Sequence, residues 1–144
     1  MARNIQYIFV HCSAGSQANT AADIISYHTR PKANGGCGWS RPGYHYIIEA
    51  DGKIVKAVDE TLSANGAGAK YNPISIHVCY IGGVDTSQRS LPPVDNRTAA
   101  QKASLLSLLR LLRKRYPSAK IIGHRDVAAK ACPSFDATKE YASI

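Results

Sequence analysis

Short apolar runs, broken by polar, glycine- and proline-marked stretches, alternate along this chain with two longer segments whose apolar residues recur at helical spacing. Over residues 5–12, period-two alternation puts Ile5, Tyr7, Phe9 and His11 on one side of a strand and Gln6, Ile8, Val10 and Cys12 on the other. After the break at Ser13–Ser16, Thr20-Ala21-Ala22-Asp23 carries helix-start chemistry. The helix runs through Ile24, Ile25 and His28 and stops at Arg30, because Pro31 disfavours helical geometry in the residue before it. A glycine-rich loop, 32–42, carries the only tryptophan, Trp39; it is long for a plain connection, and such loops often border a site. Residues 43–55 predict a hairpin turning at Asp51-Gly52, with Tyr44, Tyr46 and Ile48 facing one way and His45 and Ile47 the other.

Beyond a glycine- and alanine-rich loop at 63–70, residues 74–81 predict a further strand, closed by Gly82-Gly83, and 84–96 a polar, proline-bearing connection. Thr98-Ala99-Ala100-Gln101 matches a capping box and opens a long helix to about Tyr116, ended by Pro117. Its core stripe is Leu105, Leu108, Leu109 and Leu112, widened by Leu106 and Leu111. A strand at 120–123, a loop and a short helix from about Ala137 complete the chain. Strands alternating with helices, without internal repeats, predict an α/β fold: one domain over 1–144, with a mixed central sheet flanked by helices.

A chain of 144 residues, 44% of them hydrophobic, buries about two-thirds of its unfolded surface in one core. The net charge of +8 implies an anionic partner: nucleic acid, a membrane surface or an acidic wall polymer. The densest basic run, Arg110 to Arg115, is a solvated helix face, and few aromatics interleave with it, which weakens a single-strand nucleic-acid reading. No apolar run reaches the length of a membrane span, so no membrane insertion is expected. Met1-Ala2-Arg3-Asn4 leads straight into a strand without signal-peptide character, so synthesis is cytoplasmic and any outward passage depends on other factors. Cys12, Cys37, Cys79 and Cys132 are widely spaced and form no C-x-x-C pair; free thiols fit better than a disulfide framework, with Cys12 and Cys79 as small buried hydrophobes.

The chemistry concentrates between Gly123 and Asp136. His124, Lys130 and Cys132 lie within nine residues, directly after the apolar run ending at Ile122, and supply two metal donors and a cation. His11, at the end of the first strand, is the best third donor; His11, His124 and Cys132 would hold a catalytic zinc with one position open for water. Lys130 would aim its ammonium at the oxyanion of a tetrahedral intermediate, and the Tyr44 phenol is a second donor for that oxyanion or an orienter of the attacking water. A buried packing histidine is commoner than a liganding one and a solvated lysine commoner than a catalytic one, so the residues alone leave both readings open.

Phe9-Val10-His11-Cys12-Ser13-Ala14, then Gly38-Trp39 with Gly43-Tyr44-His45-Tyr46-Ile47-Ile48 and Asp51-Gly52, then Gly123-His124-Arg125-Asp126 through Lys130-Ala131-Cys132-Pro133-Ser134-Phe135-Asp136, resemble the zinc-dependent N-acetylmuramoyl-L-alanine amidases. That family is related to the peptidoglycan recognition proteins, and the likeness is to its short single-domain phage members in particular. It runs in order from about Ile5 to Phe135. It implies one Zn2+ per chain on His11, His124 and Cys132, catalytic roles for Tyr44 and Lys130, and hydrolysis of the amide between N-acetylmuramic acid and L-alanine in peptidoglycan. It further implies a monomer that degrades cell wall as an endolysin of phage or prophage. His28 also recurs in relatives and is read as structural. Two departures stand out: Gly66-Ala67-Gly68-Ala69 where many relatives carry a histidine, and His77 where many have glycine. The rival readings are a peptidoglycan-binding module without activity, against which the retained Cys132 argues, and a regulator touching a polymerase or nucleic acid through the basic face.

Overall fold

The computed structural model describes residues 3–144; Met1 and Ala2, the start of the stretch read as lacking a leader, lie outside the described residues. Five strands form one sheet: β1 (Tyr7–Cys12), β2 (Tyr46–Ile48), β3 (Ile54–Lys56), β4 (Ser75–Tyr80) and β5 (Lys120–Gly123), in the order β3-β2-β4-β1-β5. β1 lies parallel to β4 on one side and to β5 on the other; β2 is parallel to β4, and only the β2–β3 hairpin is antiparallel. The expected mixed sheet is therefore present. Helices α1 (Ala21–Thr29), α2 (Ala99–Arg115) and α3 (Ala137–Glu140) pack on it.

Alternation along the central strands sorts the residues into two faces. Ile8, Val10, Tyr46, Ile48, Ile76, Val78, Tyr80 and Ile121 join Leu105, Leu108, Leu109 and Leu112 of α2 in the main core. Each fully buried leucine of this kind contributes roughly 1.5–3 kcal/mol. The opposite face presents Phe9, His11, Ile47, His77 and Cys79, with a smaller cluster of Ala21, Ile24, Ile47 and Ile81 beneath α1. One face of the sheet is thus a conventional core, and the other carries imidazoles and a thiol. The expected leucine stripe holds except at Leu111, which is 49% exposed because it sits about 60° outside the arc that faces the sheet.

Both helix starts form as their sequences dictate. Thr20 and Asp23 close a reciprocal capping box at α1, and Thr98 and Gln101 another at α2. Gln101 does more than cap. It is fully buried, and its amide donates to the carbonyls of Ile48 (3.2 Å) and Ile81 (2.9 Å), which lie at and just beyond the ends of β2 and β4, while its oxygen accepts from Thr98 N–H (3.0 Å).

The hairpin carries one correction. Tyr44 does not share a face with Tyr46 and Ile48; it packs with Ile47 in the cluster beneath α1. The ladder ends at a bulge, where the amides of Ala57 and Val58 both donate to the His45 carbonyl (2.8 and 3.3 Å), so strict alternation does not extend past Tyr46.

Candidate metal centre

The strand-end positions converge. His11 is the fifth residue of central strand β1, and His124 follows directly on β5, its parallel neighbour. Cys132 returns from the following loop to bring its thiol beneath the end of β1. Donor atoms of His11, His124 and Cys132 all lie within 4.8 Å of one another. The Cys132 sulfur is 3.8 Å from His11 Nδ1, and the His11 and His124 rings are 4.8 Å apart at 72°.

That loop is anchored from several directions. Tyr80 donates its hydroxyl to the Pro133 carbonyl (2.7 Å), Ser134 Oγ donates to the Gly83 carbonyl (2.7 Å), and the Arg125 amide donates to the Cys132 carbonyl (2.7 Å). Gly83 is required where it stands: its φ is +92°, and a Cβ would lie 2.4 Å from Cys12 Sγ. Behind the loop, buried Arg97 lies over the Phe135 ring, 3.5 Å from its centroid, and is held by Asp95, Glu140 and Tyr141. The carboxylate of Glu140, paired with that guanidinium, lies below its ordinary range.

The electrostatics suit metal binding. Burial, then the neighbouring histidines and Lys130, push His11 well below its ordinary pKa, and burial followed by Lys130 lowers His124; both imidazoles are neutral at pH 7, as ligands must be. The adjacent Cys12 thiol, then burial, raises the Cys132 thiol, while the Cys12 amide donates to its sulfur at 3.1 Å, a contact that favours the thiolate once a cation supplies positive charge. Two borderline nitrogens and one soft sulfur are a donor set for zinc, and a tetrahedral ion at ordinary bond lengths would separate nitrogen and sulfur by about 3.5 Å. The observed 3.8 Å is within a few tenths of that value.

His124 and Cys132 open onto a cavity of about 260 Å³, whose walls include His28, Trp39, Tyr44, Asn65 and Lys130. The glycine-rich loop reaches it by folding back on α1: the amides of Cys37, Gly38 and Trp39 donate to the carbonyls of Tyr27, Arg30 and His28 (2.9, 2.8 and 2.9 Å). Trp39 thereby lies beside the His28 ring (4.8 Å) and remains 37% exposed. His28 accepts from the Gly43 amide (2.9 Å), which pins the start of the hairpin and agrees with a structural role. Tyr44 lies against both His11 (5.0 Å) and His28 (5.3 Å), and burial raises its phenol well above the ordinary value, so it keeps its proton. Four of the five site residues read from the sequence, Tyr44, His124, Lys130 and Cys132, line that cavity; His11 is buried behind it, with its donor atom within 4.8 Å of those of His124 and Cys132. What that reading did not use is His77, whose ring lies behind His11. Its place there follows from strand register, with Phe9 facing His77 and His11 facing Cys79, and no local motif marks it.

Fold and site define a class: a small α/β domain with a candidate metal-donor cluster at the ends of parallel strands and an open groove before it. The chain belongs to the N-acetylmuramoyl-L-alanine amidase family, whose profile matches residues 1–135. Over 132 residues it is 43% identical to the endolysin of Escherichia phage T7, an alignment covering 90% of this chain and 80% of that protein. Among solved structures, the endolysin of the Thermus scotoductus bacteriophage Ph2119 superposes with a TM-score of 0.72 at 27% identity, covering 92% of this chain and 79% of the other. Drosophila PGRP-LB shares the fold at a TM-score of 0.74 and 21% identity, covering 99% and 82%. The chain is an enzyme that hydrolyses the amide between N-acetylmuramic acid and L-alanine of peptidoglycan.

Proposed function

We propose that the amidase is zinc-dependent, with one Zn2+ per chain held by His11, His124 and Cys132, and that it acts as a monomeric, endolysin-type enzyme on the cell wall. The observation that carries this reading is the convergence within 4.8 Å of two neutral imidazoles, remote from each other in sequence, and one thiol, of which His124 and Cys132 line an open cavity. All three donors come from one chain, so a partner subunit is not needed to complete the set.

A bound zinc supplies Lewis acidity, polarising the scissile carbonyl and lowering the pKa of water towards about 7. The chain's own groups do the rest. Tyr44 keeps its proton and is a hydrogen-bond donor at the wall of the cavity, suited to the carbonyl oxygen as negative charge develops on it. Lys130, exposed at the same rim, brings a positive charge to that oxygen. Trp39 and His28 form an aromatic wall against which the substrate is oriented. The retained thiol favours cutting over mere holding of the polymer, since a binding module has no use for an activated water.

Exhaustive chelation is expected to abolish release of free L-alanine amino termini from purified walls, and stoichiometric Zn2+ to restore it. Undiminished release after the metal has been removed would overturn the zinc reading while leaving the amidase assignment intact.

A further inference from the structure

We propose that His77, itself oriented by Asn72, is a positioning residue that holds His11 in the tautomer offering Nδ1 to the metal; the inference rests on the zinc reading above. The proton positions follow from a chain of contacts that begins at the backbone. The Ala67 amide can only donate, and it donates to Asn72 Oδ1 at 2.9 Å, which fixes that atom as the side-chain oxygen. The same oxygen lies 3.2 Å from His77 Nε2, so that nitrogen carries a proton and donates.

His77 is fully buried, and no carboxylate is among the hydrogen-bond partners of its ring, so an imidazolium there would be a buried, unpaired charge. A neutral ring protonated at Nε2 leaves Nδ1 as an acceptor. His77 Nδ1 is 2.9 Å from His11 Nε2, which must then be the donor. His11 Nδ1 is left bare, and this is the nitrogen that faces the Cys132 sulfur at 3.8 Å.

The surroundings hold the relay in place. Phe9 stacks on the His77 ring (centroids 5.3 Å, 27°), and Tyr71 meets Phe9 edge-on. The His77 amide donates to His45 Nδ1 (3.0 Å), tying the strand on its other side. Gly66 has no side chain where one would collide: a Cβ would lie 2.6 Å from His77 Nδ1. Metal-ligating histidines commonly donate their second nitrogen to a carboxylate or carbonyl that sets tautomer and ring orientation. Here a second imidazole, backed by an amide, supplies that acceptor.

The decisive experiment records the ring 15N chemical shifts of His11 in the metal-free wild-type protein at pH 7.5, together with Zn2+ affinity by chelator competition and the Co2+ absorption spectrum of His77→Ala and His77→Gln. The expected results are His11 protonated at Nε2 and a Zn2+ affinity about 10–100-fold weaker in His77→Ala with a perturbed Co2+ spectrum. Affinity should be largely recovered in His77→Gln, whose amide can accept from His11 and donate to Asn72. A wild-type His11 protonated at Nδ1 would overturn the proposal even if His77→Ala failed to fold. So would wild-type affinity and spectrum in a folded His77→Ala. If the wild-type protein itself took up no zinc, the reading of the centre would fail, while the 15N shifts would still decide the relay.

Discussion

At the residue scale, the site works by keeping protons on the right atoms. Burial leaves His11 and His124 neutral and Tyr44 protonated, so the same low-dielectric surroundings suit both the proposed ligands and the proposed donor. Lys130 differs from them in being exposed, and its value lies in charge placement. Replacing it, Lys130→Ala, is expected to lower kcat by about tenfold to a thousandfold if it stabilises the developing oxyanion, with zinc content unchanged. An unaltered kcat would return Lys130 to the solvated surface. That His11, Tyr44, His124, Lys130 and Cys132 lie near one another was legible in the sequence, because their residue types and local motifs point to one shared chemistry. His77 was not, since its meaning comes only from β1 and β4 lying in register and from the empty volume at Gly66, neither of which leaves a trace in local sequence.

At the element scale, the fold depends on a few side chains that finish what the strands leave open. Gln101 is the clearest: as the third residue of α2 it caps the helix, and from the same position its amide serves two carbonyls at the ends of β2 and β4. Gln101→Leu keeps the volume but removes the side-chain donor to the Ile81 carbonyl, while the Ile48 carbonyl keeps the Ile81 amide (3.0 Å), so it is expected to cost about 1–3 kcal/mol, read as a lower urea midpoint. A midpoint equal to wild type would mean that water replaces the amide. The helices and strands were readable from capping boxes, prolines and apolar period, and their ends fall within a residue or two of expectation except in the hairpin, whose first strand is confined to Tyr46–Ile48. The side on which Tyr44 lies was not, because no turn residue at Ala57-Val58 marks the bulge that ends the ladder opposite His45.

At the scale of the whole molecule, the two faces of the sheet divide the labour. The α2 face supplies most of the apolar burial, while the opposite face holds the buried imidazoles of His11 and His77. This division has a consequence for stability. Burial lowers His45 to about 4 from the ordinary value near 6.5, and His11, His28, His77 and His124 shift in the same direction. The unfolded chain therefore takes up these protons first, and the stability present above about pH 6.5 is lost as pH falls towards 4. The metal-free protein should show a urea midpoint that declines steadily from pH 7.5 to 4.5. A flat profile across that window would mean that the histidines are hydrated. The contribution of Glu60 falls at lower pH: although burial opposes it, contacts with Arg115, Tyr46 and Tyr116 hold its carboxylate below the ordinary range, so it is retained until the solution is more acidic still.

The most direct measurement is X-ray absorption at the zinc edge of the purified protein. Two imidazole nitrogens at about 2.0–2.1 Å and one sulfur at about 2.3 Å are expected, with one zinc per chain. A spectrum without a sulfur neighbour, or a protein that retains no zinc after reconstitution, would contradict a centre built from His11, His124 and Cys132.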